Sequence, residues 1–228
     1  MRLTCSLITV SALCLLAGSV QALDAATTWP DTPLARAEAL ALIETLNADL
    51  LSHDSATLTL ERWCGAHDLA AQPKIVAQRV RGQDKPLSPE LRAQMGIDAQ
   101  EPVKYRRVQL MCGAHVLSEA DNWYVPARLT TAMNQQLDNT DTPFGKVVQP
   151  LHFRRQTLDA KLLWSPLADG WEMHGVAPMP PGTLLHVPAQ ILQHRAVLYN
   201  GSGQPFSLVV ETYTDQVLAF PFFGPSHQ

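Results

Sequence analysis

The tetrapeptide Cys-Gly-Ala-His occurs twice in the sequence, at residues 64–67 and at residues 112–115. Cysteine and histidine are zinc ligands, so the two copies could together form a tetrahedral Cys2His2 site. The two cysteines could instead form a disulfide, or stay apart as buried thiols. The metal site is disfavoured because structural zinc pairs usually lie on tight turns, whereas the second copy continues a strand-like segment. Outside a metal site, His67 and His115 would be turn or surface histidines.

The first residues have the pattern of a secretory signal peptide. Arg2 provides a positive start, an uncharged and mostly apolar run covers residues 3–17, and Val-Gln-Ala at residues 20–22 fits the small-x-small cleavage rule. The apolar run is too short to span a membrane. We therefore expect residues 1–22 to be removed from a periplasmic or secreted protein that has no stable membrane insertion. The alternative is an uncleaved N-terminal anchor.

Cleavage would leave Cys64 and Cys112 in the mature chain, because Cys5 and Cys14 belong to the signal peptide. An even pair of cysteines in an oxidising compartment favours a disulfide between Cys64 and Cys112. Separate thiols and the metal site are the open alternatives.

The charge balance argues against binding to polyanions. The 228 residues carry 17 lysines and arginines against 21 aspartates and glutamates, which gives a formal net charge of −4. A mildly acidic protein has no electrostatic reason to bind nucleic acid or anionic lipid. The sequence has neither a Gly-x-Gly-x-x-Gly motif nor a strand–helix–strand alternation, which disfavours a dinucleotide-binding fold. We expect no cofactor and no metal.

Hydrophobic periodicity predicts more strands than helices along the chain. Helical spacing indicates helices near residues 32–51, 57–64, 88–96 and 127–139, with a short helical segment after the turn at 140–145. Strand-like segments cover residues 74–82, 103–126 with a bend near Gly113, 150–164, and a hairpin at 195–214. Strands joined by hairpins or short helices are typical of an α+β domain built on an antiparallel sheet.

Two of these strands place polar residues on one side and apolar residues on the other. Alternate residues of a strand face the same way, so Arg107 faces away from Cys112 and its apolar neighbours. In the last strand, Glu211 belongs to the face that carries polar groups. Arg107 and Glu211 could therefore share one wall of a site, or the wall could be exposed to solvent. A helix over the apolar face would bring Cys64 to Cys112.

Four segments carry a resemblance to a known family. "RRVQLMC", "DNWYVPARL", "TDTPFGKVV" and "RAVLYNGSGQPFSLVVETYT" resemble, in order and spacing, the chorismate pyruvate-lyase-like family over roughly residues 55–215. The resemblance implies a six-stranded antiparallel sheet with helices closing a buried ligand cavity. It divides the chain into a signal peptide (1–22), an N-terminal helical segment (23–54), a lyase-like domain (55–216) and a C-terminal tail (217–228).

The same resemblance implies roles for four residues. Arg107 would hold a carboxylate of chorismate or of the hydroxybenzoate product, since a guanidinium binds a carboxylate through two hydrogen bonds. Glu211 would be the catalytic acid and base, because a carboxyl in a low-dielectric cavity can exchange protons near neutral pH. The backbone N–H of Phe144 would contact the ligand carboxylate, with Gly145 allowing close approach.

Arg154 and Arg155, in "LHFRRQ", are either a second carboxylate contact or a solvated strand end.

These residues lead to three functional hypotheses. The first is an exported carbon–oxygen lyase that eliminates pyruvate from chorismate or a related enolpyruvyl compound to give a hydroxybenzoate. The second is a non-catalytic periplasmic binding protein for a small aromatic carboxylate, and the third is a structural envelope protein. The pairing of Arg107 with Glu211 favours the enzyme, whereas export favours the binding protein because chorismate is a cytoplasmic metabolite.

Overall fold

The computed structural model describes residues 29–176 and 180–222, so the predicted signal peptide lies outside the described residues. The strands are β1 (Ile75–Val80), β2 (Lys104–Cys112), β3 (His115–Tyr124), β4 (Arg154–Leu162), β5 (Gln190–Tyr199) and β6 (Pro205–Thr214). The helices are α1 (Pro33–Ser52), α2 (Ala56–Ala66), α3 (Pro89–Gln94), α4 (Thr131–Asn139), α5 (Phe144–Val147) and α6 (Trp171–His174). The strands form one six-stranded antiparallel sheet in the order β1-β2-β3-β6-β5-β4. The predicted α+β fold, with an antiparallel sheet and helices over a cavity, is confirmed.

Strand register gives the sheet two different faces. Directly paired residues of neighbouring strands lie on the same face. The inner face carries Val108, Leu110 and Cys112 and shares a hydrophobic core with α1 and α2. The outer face carries Trp123, whose Nε1–H donates to the carbonyl of Lys85 at 2.7 Å in the segment that precedes α3. Each face is therefore covered by a different part of the chain.

Helix α1 is stabilised by a capped N-terminus and by one apolar side that packs against the sheet. The Thr32 hydroxyl accepts a hydrogen bond from the Ala35 N–H at 3.1 Å, and Pro33 occupies the first turn, where no N–H donor is needed. Ile43 and the buried residues in step with it pack against the sheet. Within the described chain no helix is both long and apolar enough to cross a bilayer.

The chain segments on either side of the predicted lyase-like domain contribute to the same core. Helix α1 falls in the predicted segment 23–54, yet its buried side belongs to the core of the sheet. The predicted boundary at residue 217 falls inside a 3-10 turn, Asp215–Leu218, whose Val217 and Leu218 are fully buried. Helix α1 and this 3-10 turn pack as parts of one unit with the sheet.

Cys64 and Cys112 form a disulfide, with their Cα atoms 6.3 Å apart. Cys64 lies near the end of α2 and Cys112 ends β2, and both are buried. The bond ties α2 to the inner face of the sheet. The nearby histidines bind oxygen atoms of the protein: His67 Nδ1 lies 3.0 Å from the carbonyl of Trp63, and His115 Nδ1 lies 3.0 Å from the side-chain oxygen of Gln216.

Candidate functional site

A cavity lies between the inner face of the sheet and the first residues of α2 and α5. It is lined by the polar residues Asp54, Ser55, Thr57, Arg106, Asn122, Arg155 and Glu211 and by the apolar or small residues Ala56, Val108, Leu110, Ala120, Phe144, Gly145, Phe153, Leu198 and Val209. Its free volume is about 40 Å³. That is room for roughly three water molecules or one carboxylate group.

The register explains how distant parts of the chain meet at this cavity. Arg106 of β2 is paired with Asn122 of β3, and Asn122 with Val209 of β6, so all three lie on the inner face. In the next inner row, Ala120 of β3 is paired with Glu211 of β6. The cavity floor is therefore made by neighbouring strands, with small side chains leaving space between the polar ones.

Arg106 is a buried cation that forms no ion pair with a carboxylate of the described residues. Its residue is 4% exposed, and its only hydrogen bond among the described residues is from Nη2 to the carbonyl of Thr142 at 3.2 Å. The pKa of Arg106 is lowered from 12.5 to about 10, chiefly by burial and then by the neighbouring Arg79, against the opposing effect of Tyr124 and Asp141. A guanidinium remains charged at neutral pH even so, and an unpaired buried charge is costly. Arg106 is therefore the residue of the cavity that an anionic ligand would stabilise most.

Arg155 and Glu211 form a buried ion pair on another side of the cavity. Arg155 Nη2 lies 2.6 Å from Glu211 Oε2, and the two side chains are 4% and 9% exposed. Burial alone would lower the pKa of Arg155, but Glu211, together with Tyr213 and Asp54, outweighs burial, and the pKa is raised. The pair brings a residue of edge strand β4 together with one of central strand β6, across β5.

Three buried donors that line the cavity lack an acceptor in the described structure. They are Arg106 Nε, Asn122 Nδ2 and Arg155 Nε. The Asn122 side-chain oxygen accepts a hydrogen bond from the Ser207 hydroxyl at 2.6 Å, which leaves its amide N–H groups as the free donors. Buried polar groups in folded proteins are nearly always hydrogen-bonded. A ligand rich in acceptors, such as a carboxylate, would complete this set.

A polar network behind the ion pair holds Glu211 in place. The Tyr213 hydroxyl lies 3.3 Å from Glu211 Oε2, and burial raises the Tyr213 pKa well above its ordinary value. His194, paired with Glu211 across β5 and β6, places its Nε2 2.8 Å from the side-chain oxygen of Asn47 in α1. Helix α1 is therefore linked to the cavity through His194.

The starts of α2 and α5 form the roof of the cavity. The Ser55 hydroxyl caps α2 by accepting a hydrogen bond from the Leu58 N–H at 3.3 Å. A Cβ on Gly145 would lie 3.2 Å from that hydroxyl, so a residue without a side chain lets α5 approach α2. Phe144 is the first residue of α5, so its backbone N–H has no carbonyl acceptor within the helix.

Comparison with known proteins places the chain in a family. No family model matches it. It is 54% identical over 194 residues to the uncharacterized protein y4mC of Sinorhizobium fredii, and the match covers 85% of this chain and 82% of that protein. The chain belongs to the family of y4mC.

Solved structures that resemble the fold include those of transcriptional regulators. The effector domain of PhnF from Mycobacterium smegmatis matches with a TM-score of 0.46 and 13% identity, covering 71% of this chain and 89% of that domain. A GntR-family regulator from Enterococcus faecalis matches with a TM-score of 0.39 and 14% identity, covering 65% of this chain and 98% of the other.

The predicted membership of the chorismate pyruvate-lyase-like family is wrong. The family shown by sequence is that of y4mC. The motifs behind the prediction were a strand arginine, a Pro-Phe-Gly turn and a Gly-x-Pro hairpin. These motifs indicate the order of strands and turns in a fold, and one fold can support more than one activity.

The structure brings three of the four predicted site residues to the cavity. Glu211, Phe144 and Gly145 line it, while their proposed roles remain predictions. Arg107 does not lie there, so the expected meeting of Arg107 with Glu211 is wrong. Arg107 is paired with Asp121, and Asp121 with Val210, which puts Arg107 on the outer face. It forms an ion pair there with Glu119 at 3.2 Å.

Arg106 was overlooked, although the sequence contained its signal. Arg106 is in step with Val108, Leu110 and Cys112, the apolar and therefore buried set of β2. Arg155, considered as a second carboxylate contact, lies at the cavity, whereas its neighbour Arg154 is exposed.

Asn122 and His194 carry no comparable signal, because their roles depend on residues of other strands and of α1. In the described part of the chain, no three His, Cys, Asp or Glu side chains are arranged to hold a metal ion.

Proposed function

We propose that the protein binds a small carboxylate in this cavity and that Arg106 holds the carboxylate group. The observation that carries the proposal is the burial of Arg106 with no anionic partner among the described residues. Asn122 offers a free amide donor beside it, and the first turn of α2 adds the positive end of a helix dipole. A monoanion with two acceptor oxygens matches these donors.

The size of the cavity limits the ligand. A cavity of about 40 Å³ favours a carboxylate group with a short substituent. Phe144 and Phe153 lie in the cavity wall, where they would contact the larger ring of an aromatic acid, the ligand class expected from the sequence. We therefore propose a short-chain aliphatic carboxylate as the ligand, with aromatic acids binding more weakly.

We propose binding without turnover. Arg155, at 2.6 Å, and Tyr213, at 3.3 Å, both contact Oε2 of Glu211, so the Glu211 carboxylate serves as the fixed counter-ion of Arg155. Catalysis by Glu211 stays a prediction from the sequence.

We also propose that the protein is exported and that its partner is a small molecule and not a nucleic acid. The disulfide between Cys64 and Cys112 supports export, because structural disulfides persist in oxidising compartments. The net charge of −4 gives no general attraction to nucleic acid.

Two adjacent arginines provide the test, because they lie on opposite faces of the same strand. Acetate, propionate, lactate and benzoate are titrated into the protein by calorimetry. Replacement of Arg106 by Met should weaken binding of the best ligand by about tenfold to a hundredfold, the usual effect of losing a charge-assisted hydrogen bond. The matched control Arg107→Met should leave affinity within about twofold, because its side chain is outside the cavity.

A loss of carboxylate binding in Arg106→Met would not be explained by unfolding of the variant. Arg106→Met removes an unpaired buried charge, so the free energy of unfolding without ligand should stay the same or rise. Loss of binding in Arg107→Met but not in Arg106→Met, or no carboxylate binding in the parent protein, would overturn the proposal.

A further inference from the structure

Asn122 is a buried amide in the cavity wall whose orientation is fixed by a neighbouring strand. The residue is 3% exposed, and its side-chain oxygen accepts a hydrogen bond from the Ser207 hydroxyl at 2.6 Å. Ser207 lies in β6 and is itself fully buried. Because the oxygen is engaged in this way, the –NH2 group is the free end of the amide, and it has no acceptor among the described residues. Asn122 therefore contributes a hydrogen-bond donor to the cavity.

This donor lies beside Arg106. Asn122 is paired directly with Arg106 across β2 and β3, and both residues line the cavity. The Cβ atoms of directly paired residues are about 4.5–5.5 Å apart on the same face of a sheet. The guanidinium and the amide can thus contact one small molecule.

A carboxylate alone does not satisfy both groups. A guanidinium engages the two oxygens of a carboxylate through parallel hydrogen bonds. The Asn122 amide brings two further N–H donors. At least one of them would stay without an acceptor if the ligand were a plain carboxylate, and a buried donor left unpaired is costly. A ligand with an additional acceptor would be bound more tightly.

The charged residues of the cavity limit what the additional acceptor can be. Arg155 is already paired with Glu211 at 2.6 Å, which leaves Arg106 as the guanidinium that an anion would pair with. Asp54 and Glu211 also line the cavity, and their charges would repel a second carboxylate. An ammonium group has only donors to place against the donors of Asn122. The additional acceptor is therefore a neutral oxygen.

We propose that the ligand is a short 2-hydroxy or 2-oxo acid and that Asn122 selects it over the unsubstituted acid. This inference rests on the carboxylate binding proposed above and adds a second contact to it. The carboxylate pairs with Arg106, and the oxygen on the adjacent carbon accepts a hydrogen bond from the Asn122 amide. Ser207 does not line the cavity, so it acts through Asn122 as a positioning residue.

Three acids of three carbons each test the proposed selection. Propionate, lactate and pyruvate have the same charge and nearly the same size, and each is titrated separately into the protein by calorimetry. We expect lactate or pyruvate to bind about tenfold more tightly than propionate, because propionate leaves the buried amide donor unpaired. Tighter binding of lactate would identify a hydroxyl group as the acceptor, and tighter binding of pyruvate an oxo group.

The affinity of the preferred acid divided by that of propionate measures selection independently of overall binding. Asn122→Leu keeps the size of the side chain and removes the donor, so this ratio should fall to within about twofold of one while propionate still binds. Ser207→Ala removes one hydroxyl and releases the amide, and it should lower the ratio by about threefold or more.

Ser118→Ala is the matched control for Ser207→Ala. It also removes a fully buried hydroxyl from the sheet, but Ser118 lies outside the cavity and its hydroxyl has no hydrogen-bond partner in the described structure. The parental ratio should therefore be kept. Equal effects of the two serine variants would overturn the positioning role of Ser207.

The two proposals fail in different ways. If the three acids bind equally well and Arg106→Met abolishes binding of all of them, selection by Asn122 is overturned and carboxylate binding by Arg106 stands. If none of them binds, both proposals are overturned. A preference for lactate or pyruvate that persists in Asn122→Leu would overturn the role of Asn122.

Discussion

Two neighbouring arginines show how much one position along a strand can change a side chain's surroundings. Arg106 is buried beside the cavity with no carboxylate partner among the described residues, while Arg107 is half-exposed and paired with Glu119. Their chemistry is the same. The difference comes from the alternation of strand faces, which places one guanidinium in the buried cavity and the other in a surface ion pair of little energetic weight.

His194 should make the fold sensitive to mild acid. The pKa of His194 is lowered from 6.5 to about 4, chiefly by burial and then by Arg155, while Glu211 and Asp159 oppose the shift. The unfolded chain takes up this proton near pH 6.5 and the folded chain only near pH 4, so stability falls as the pH drops from 6.5 towards 4. We expect the free energy of unfolding, measured with urea, to fall by about 2 kcal/mol between pH 7 and pH 5 from this group.

The variant His194→Gln isolates this effect, because glutamine can still contact Asn47 but does not titrate. Its stability should change less between pH 7 and pH 5 than that of the parent protein. His186→Gln, at an exposed histidine, should keep the parental pH profile. Identical profiles for the parent and His194→Gln would rule out burial of a neutral imidazole.

Among the elements, α2 has two roles, and the disulfide serves both. Its first residues form the roof of the cavity, and Cys64 near its end ties it to β2 through Cys112, 48 residues away. Replacing both cysteines by Ala should lower the free energy of unfolding by about 4 kcal/mol, because the closed loop no longer restricts the unfolded chain. Urea unfolding of the oxidised protein and of the double variant measures this difference.

Reductant provides the control for the disulfide. It should destabilise the parent protein and leave the Cys64→Ala, Cys112→Ala double variant unchanged. A parent protein with the same stability in its oxidised and reduced forms would show that the bond contributes nothing to the fold.

At the scale of the whole molecule, export of the chain and oxidation of Cys64 and Cys112 to a disulfide should occur together. When the full chain is produced in a Gram-negative host, we expect the periplasmic fraction to hold a protein that begins at Leu23 and contains an oxidised Cys64–Cys112 pair. A chain lacking residues 1–22 should stay in the cytoplasm with reduced thiols. Cell fractionation and intact mass measure both properties. A full-length protein in the membrane fraction would contradict cleavage and support an uncleaved anchor.

The sequence by itself determined the order and type of the elements, because helix starts, hairpin turns and periodicity are local properties. Thr32 and Pro33 start α1, the predicted strands appear as β1 to β6, and Cys64 and Cys112 form the expected disulfide. The sequence also identified Glu211 as a candidate site residue, and Glu211 lines the cavity.

Only the tertiary structure decided which residues meet. The period of a strand shows which of its residues share a face, but it does not show how that face aligns with the next strand. The β2–β3–β6 register put Arg106, and not Arg107, on the face of Glu211. The pairing of Arg155 with Glu211 and of His194 with Asn47 likewise required strands and helices distant in sequence to pack together. Function in this protein therefore depends on register, which arises from long-range packing and is not encoded in any single segment.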